Sequence, residues 1–145
     1  MPRYSVLIAD GDAVFREEAR AGLAAGGLAC AVAADSREAL EQAQGRVFAT
    51  ALVSVQLAGS GGGIAVLREI KRLTPLCEVL MLAGQASVES GIESLKYGAF
   101  DYLVKPLDSR VLLERLDAAF AHRQNRQRKI AAQQQGMGQT DGGLV

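Results

Sequence analysis

The chain has no tryptophan, one histidine, two cysteines and three prolines among its 145 residues, and aromatic residues make up only 5% of it. Each scarcity narrows what the protein does. Cys30 and Cys77 make neither a disulfide framework nor a metal-ligand spacing, so they read as small apolar thiols in or near strands. The one histidine, His122, falls on the last predicted helix, where the pattern turns it toward solvent and away from any nucleophile. Sixteen basic residues offset sixteen acidic ones, which leaves no global field to draw nucleic acid or an anionic membrane. No apolar segment is long enough to span a bilayer, and Met1-Pro2-Arg3-Tyr4 opens no signal peptide. The chain therefore reads as soluble and cytoplasmic.

What is present is a core. Hydrophobic residues account for 49% of the sequence, enough at this length for one sizeable domain. The chain is organised around Val6-Leu7-Ile8-Ala9-Asp10-Gly11-Asp12, an apolar run of strand length that ends in carboxylates just before a helical pattern. In open parallel α/β sheets, chemistry gathers at the carboxyl ends of the strands, so Asp10 is expected at such an end.

Taken in order, Ser5 to Ala9 is a first strand, apolar throughout as a strand covered on both faces should be. A helix follows from about Ala13, with Asp12 as its cap and Val14, Ala19 and Leu23 toward the core, and Gly26-Gly27 ends it. Leu28 to Ala33 is a second strand. Asp35-Ser36 caps a short helix through Gln44, with Glu38 in its first turn. Val47 to Val55 holds a third strand ending around Ser54, and Gly59-Ser60-Gly61-Gly62-Gly63 forms a loop. A helix from Ile64 to Leu73 stops before Pro75. Glu78 to Leu82 is the fourth strand, Ser87 to Tyr97 a helix closed by Gly98, and Tyr102 to Val104 the fifth strand. Asp108 opens the last helix. Five alternations of strand and helix predict a parallel sheet with right-handed crossovers.

Leu112, Leu113, Leu116 and Phe120 carry helical spacing into the final segment. Beyond His122 the residues are mostly Arg, Gln, Lys and Asn, and the chain reads from 122 to 145 as an extension of the last helix running into a loose Gln- and Gly-rich tail. A coiled coil would want apolar residues where Arg123 and Gln127 stand.

With these elements placed, residues 4–121 resemble the receiver domain of bacterial two-component response regulators. The resemblance rests on Leu95-Lys96-Tyr97-Gly98-Ala99-Phe100-Asp101-Tyr102-Leu103-Val104-Lys105-Pro106, on Val6 to Asp10, and on Gly62 after the third-strand loop. It implies a flavodoxin-like, doubly wound five-stranded parallel sheet in the order 2-1-3-4-5, with helices on both faces. It also implies a chemistry: two acids after the first strand that help hold Mg²⁺, an Asp ending the third strand that accepts a phosphoryl group from a histidine kinase, a Thr or Ser ending the fourth, and a Lys ending the fifth. Mg²⁺ wants hard oxygen ligands, and phosphoryl transfer depends on alignment and charge neutralisation.

Carried over by position, Asp10 fits the first acid, but Gly11 stands at the second, Ser54 at the phosphoacceptor and Ala83, followed by Gly84, at the hydroxyl. Lys105 and Pro106 remain, and the resemblance makes their bond cis. Asp12 is either a substitute ligand or a helix cap. Lys105 is expected to pair with Asp10 or to donate to Ser54. An alcohol at position 54 needs a base, and none is in sight. The departures imply a receiver with a degenerate phosphorylation site, no enzyme activity, and Mg²⁺ bound weakly or not at all.

Other readings fit less well. The loop glycines follow the wrong strand for a dinucleotide fingerprint and lack a Walker lysine. Asp10 and Asp12 would repel a flavin phosphate. Arg123, Arg126, Arg128 and Lys129 read as a solvated helix end, so nucleic acid is not expected, nor is a membrane. The expected partner is a protein, such as a histidine kinase or an output protein. Homodimerisation through residues 87–121 is the further expectation: Tyr102 is the family's switch aromatic there, and Glu93, Lys96, Asp101, Glu114 and Arg115 offer charges suited to a two-fold axis. A working phosphoacceptor with a non-standard site and a small-ligand domain on the same scaffold stand as the alternatives.

Overall fold

The computed structural model describes residues 1–144, with side chains described as far as Gln135. Strands and helices alternate as β1 (Ser5–Ala9), α1 (Ala13–Ala25), β2 (Ala29–Ala33), α2 (Ser36–Gly45), β3 (Thr50–Ser54), α3 (Gly62–Leu73), β4 (Glu78–Ala83), α4 (Val88–Lys96), β5 (Asp101–Val104) and α5 (Ser109–Leu144). The five strands form one sheet in the order β2-β1-β3-β4-β5, and every pairing is parallel.

Strand alternation divides the core into two layers, because successive side chains leave opposite faces. Leu7, Ala9, Ala51, Val53, Val79 and Met81 pack on one face with Val66, Leu67 and Ile70 of α3 and Ala39 of α2. Val6, Ile8, Leu52, Leu80 and Leu82 pack on the other with Ala19 and Leu23 of α1 and Leu112, Leu116 and Ala119 of α5. The large members of these layers are inaccessible to water, and each contributes about 1.5–3 kcal/mol of burial. This two-sided burial is why the strands read as continuous apolar runs rather than alternating ones.

Three details differ from the sequence expectation. Val14 is 68% exposed, because it lies off the i, i+4 stripe that Ala19 and Leu23 define. Phe15, four residues before Ala19, belongs to that stripe and packs against the core in its place. His122 does not simply face solvent: its Nδ1 lies 2.7 Å from Oε2 of Glu78. Finally, α5 continues to Leu144 where a loose tail was expected. The Arg, Gln, Lys and Ala residues after His122 are good helix formers and no proline interrupts them.

Candidate functional site

The parallel register brings four strand ends to one rim of the sheet. Ala9 pairs with Val53, Ser54 with Leu82 and Ala83 with Val104. Asp10, Ser54, Ala83 and Lys105 therefore follow or end adjacent strands, as the sequence places them.

Asp10 is the centre of this rim and is only 2% exposed. Its Oδ2 accepts a hydrogen bond from the Lys105 ammonium at 2.7 Å. Its Oδ1 accepts the backbone N–H of Asp12 at 2.9 Å. The Arg16 guanidinium donates to the Asp10 carbonyl at 2.8 Å, and the Asp10 N–H donates to the carbonyl of Ala33. Of the two partners the sequence left open for Lys105, the structure selects Asp10. The ammonium also lies 4.1 Å from the centre of the Phe15 ring, which adds a cation–π contact. The Lys105–Pro106 peptide bond is cis.

Asp12 is a helix cap. It is extended at the start of α1, and its Oδ1 accepts the N–H groups of Val14 and Phe15, both at 3.1 Å. Two orphan donors of the helix terminus are satisfied this way. Gly11 sits between the two acids, where an added Cβ would meet only the carbonyl oxygen of Ala34, at 3.6 Å.

Ser54 ends β3 and is 7% exposed; among the described residues its hydroxyl has no hydrogen-bond partner. The backbone just beyond it turns tightly. Gly63 donates to the carbonyl of Val55, and a Cβ at Gly63 would fall 1.9 Å from the carbonyl oxygen of Ser54. Only glycine allows α3 to start this close to β3. Gly62, the glycine singled out in the sequence, has φ +63°, in the region that favours glycine. Ala83 is buried; its carbonyl accepts the Lys105 N–H at 2.8 Å. Gln56 leans from the β3–α3 loop toward the next position, its Oε1 3.5 Å from the N–H of Gly84.

Tyr102 on β5 bonds away from Ala83. Its hydroxyl lies 2.7 Å from Ser90 Oγ and accepts the N–H of Ser87 at 3.2 Å, both at the start of α4. On the outer face of that helix, Val88, Ile92 and Leu95 are 82%, 62% and 61% exposed, and Val104 beside them is 40% exposed. The first three recur at i, i+4 and i+7 and form one stripe. Asp101 and Arg115, offered by the sequence for pairing across a two-fold axis, form an ion pair with each other within the chain.

The family's Mg²⁺ can be tested against this donor set. Both oxygens of Asp10 already accept hydrogen bonds from the chain, Asp12 holds a helix end, and Gly11 and Ser54 bring no carboxylate. Among the described residues no group of three or more His, Cys, Asp or Glu side chains converges as a metal site. The residues present do not fit a dication that demands near-ideal octahedral oxygen geometry.

Sequence reasoning missed Phe15, Arg16, Gln56, Ser87 and Ser90. Phe15 was legible in the i, i+4 stripe of α1. The others act through contacts between elements, for which local pattern carries no signal.

The response regulator receiver domain family matches residues 6–117. The chain belongs to this family. The receiver domain is 43% identical over 117 residues to the transcriptional regulatory protein ZraR of Escherichia coli O157:H7, a match that covers 81% of this chain and 26% of that protein. It is 28% identical over 127 residues to the DNA-binding transcriptional regulator NtrC of Escherichia coli K12, covering 88% of this chain and 27% of that protein. The chain thus spans about a quarter of the length of these curated relatives. Among solved structures, a CheY-like receiver domain protein of Methanospirillum hungatei superposes with a TM-score of 0.81 at 28% identity, covering 85% of this chain and 98% of that one. NtrX of Brucella abortus superposes with a TM-score of 0.81 at 25% identity, covering 90% of this chain and 29% of that one.

Proposed function

We propose that this receiver domain signals through protein contacts without carrying an aspartyl phosphate. The observation that carries the reading is the state of the rim. A serine ends the strand where the family's acceptor carboxylate would stand, and the one matching acid, Asp10, has both oxygens engaged by Lys105 and the Asp12 N–H. With Ala83 at the hydroxyl position, a phosphoryl oxygen would have Lys105 alone, and taking it would strip Asp10 of its partner. Mg²⁺ binds weakly or not at all, because Asp10 is held by Lys105 and the Asp12 N–H, Asp12 caps α1, and among the described residues no further carboxylate reaches the rim. The domain acts as a binding module in the cytoplasm and not as an enzyme.

Its partner is a protein, a histidine kinase or an output protein of the two-component class. The exposed stripe Val88, Ile92 and Leu95, with Val104 beside it, supplies the apolar centre of a contact, and Glu89, Glu93 and Lys96 supply a charged border. A second copy docking through residues 87–121 would use this same stripe. Contact with DNA, which the name of one relative states for that protein, is not part of this reading of the domain.

The test is phosphorylation chemistry on the intact chain. Incubation with acetyl phosphate and Mg²⁺, read by intact mass, leaves the parent without added phosphate. A variant carrying Ser54→Asp, Gly11→Asp and Ala83→Thr restores nucleophile, second acid and hydroxyl, and becomes labelled in a Lys105-dependent way, while Ser54→Asp alone labels little. These groups act as a unit, so their effects are strongly non-additive. Beryllofluoride binds the triple variant and not the parent. Labelling of the parent as readily as the triple variant overturns the reading.

A further inference from the structure

At the opposite end of β4 from the rim lies a second cluster that the phosphoryl chemistry does not involve. Glu78 opens β4 and is 3% exposed. One carboxylate oxygen, Oε1, accepts from the Arg126 guanidinium at 2.6 Å and lies 3.6 Å from the Lys71 ammonium. The other, Oε2, lies 2.7 Å from His122 Nδ1. Lys71 also donates to the carbonyls of Pro75 and Cys77, at 2.7 and 2.8 Å. Three elements, α3, β4 and α5, thus meet on one buried carboxylate.

The placement matters because of where α5's apolar anchorage stops. Leu112, Leu116 and Ala119 are fully buried, and Phe120 stacks on Tyr4 with ring centres 4.3 Å apart. Beyond Phe120, among the described residues, no large apolar side chain of α5 reaches the core; Ile130 is 42% exposed. His122 and Arg126 are spaced i, i+4 and so share one helix face. Their two ionic contacts to Glu78 tie the next turn to the domain, helped by the His122 ring at 5.3 Å from Phe100 and by Arg123, whose Nε is buried on the same turn. A helix polar on all sides has little reason to stay helical or fixed in direction by itself. A carboxylate withdrawn from water, conversely, strongly resists losing its partners.

We infer that Glu78 is the positioning residue for the outgoing half of α5: through His122 and Arg126 it locks that helix to the base of β4 and sets the direction in which residues 127 onward leave the domain. The strand that ends at Ala83 in the rim thereby begins at the anchor of the helix on which any following segment would ride. Glu78 is a polar start to an otherwise apolar strand, and the anchor gives it a purpose. The inference is independent of whether the rim takes phosphate.

Hydrogen exchange on the full chain, resolved by peptide, tests it. His122→Ala with Arg126→Ala leaves the Lys71 ammonium beside the Glu78 carboxylate, and circular dichroism and a thermal melt check that the fold is retained. Amides of residues 121–130 then exchange at least tenfold faster, while those of residues 109–120, β1 and β3 keep their protection. Glu78→Gln gives the same local pattern if it folds, and Arg126→Lys retains most of the parent's protection. Unchanged exchange over 121–130 in the double variant overturns the inference. So does an equal loss of protection across the whole domain, which would make the cluster an ordinary folding contact.

Discussion

Replacing Lys105 with methionine should reveal what the rim is built for. The side chain keeps its apolar stem over Phe15 but loses the ammonium that Asp10 faces at 2.7 Å. Asp10, 3% exposed at its side chain, is left with a single backbone N–H as partner. Removing one member of a buried ion pair costs about 3–5 kcal/mol because the other charge is stranded. Lys105 is 20% exposed, so water can reach the gap, and about 3 kcal/mol is expected. For a domain of this size that lowers Tm by roughly 10–15 °C. Asp10→Asn combined with Lys105→Met removes both charges while keeping an oxygen for the Asp12 N–H, and should cost about 1 kcal/mol or less, giving a coupling energy of about 2 kcal/mol or more in a double-mutant cycle, the excess being the cost of Asp10→Asn alone. Urea unfolding followed by circular dichroism measures all four proteins. The same melts at about 10 mM Mg²⁺ add a second reading. A site with a dissociation constant of about 0.1 mM would stabilise the fold by about 2.7 kcal/mol, whereas the parent should not shift. The reasoning fails if Lys105→Met lies within 1 kcal/mol of the parent, or if Mg²⁺ raises the parent's midpoint. Either result would mean that Asp10 is poised for a metal rather than fastened to a lysine.

Two further outcomes follow from particular contacts. Gly63→Ala drives a Cβ to 1.9 Å from the Ser54 carbonyl oxygen, and because that atom is backbone the change should cost about 3 kcal/mol or more; Gly11→Ala, with 3.6 Å of room, should stay within about 0.5 kcal/mol, and equal midpoints for the two would refute the steric account. Burial pushes the Cys77 thiol from its ordinary value near 9 up to about 12. The folded state therefore holds a proton that the unfolded chain releases, so this contribution is complete below pH 9 and is lost as pH rises toward 12. The loss amounts to about 4 kcal/mol at most. Cys77→Ala should flatten the alkaline decline in stability, and coincident slopes for parent and variant would refute that assignment.

Much of this was legible because the fold's strongest constraints are local. Apolar runs covered on both sides gave the strands, and Asp12, Asp35 and Gly26 marked helix ends that the structure reproduces with side-chain or backbone caps. The rim was legible through the family resemblance, which assigned Asp10, Ser54, Ala83 and Lys105, and parallel strands do deliver their last residues to one edge. What stayed hidden depends on side chains meeting from distant elements. Glu78 looked like the polar start of a strand and His122 like a solvated helical residue, and nothing near either one in sequence announces a contact across 44 positions. The persistence of α5 past Phe120 was hidden likewise, since its fastening lies on β4 and not in its own pattern.

The bond between Tyr102 and Ser90 has a consequence for how evenly the domain is held together. Of α4's residues only Ser94 is buried, and its apolar side chains Val88, Ile92 and Leu95 face outward. The other helices are seated by leucines, valines or alanines in the core; α4 is seated in large part by a hydroxyl pair and a cap. Polar contacts near solvent contribute about 1 kcal/mol each, so this helix can open at a small fraction of the free energy that unfolds the sheet. It should be the first segment of the domain to exchange its amides. A protein that covers the apolar stripe would suppress those openings, and the tightness of its grip would show as protection of a helix that has little of its own.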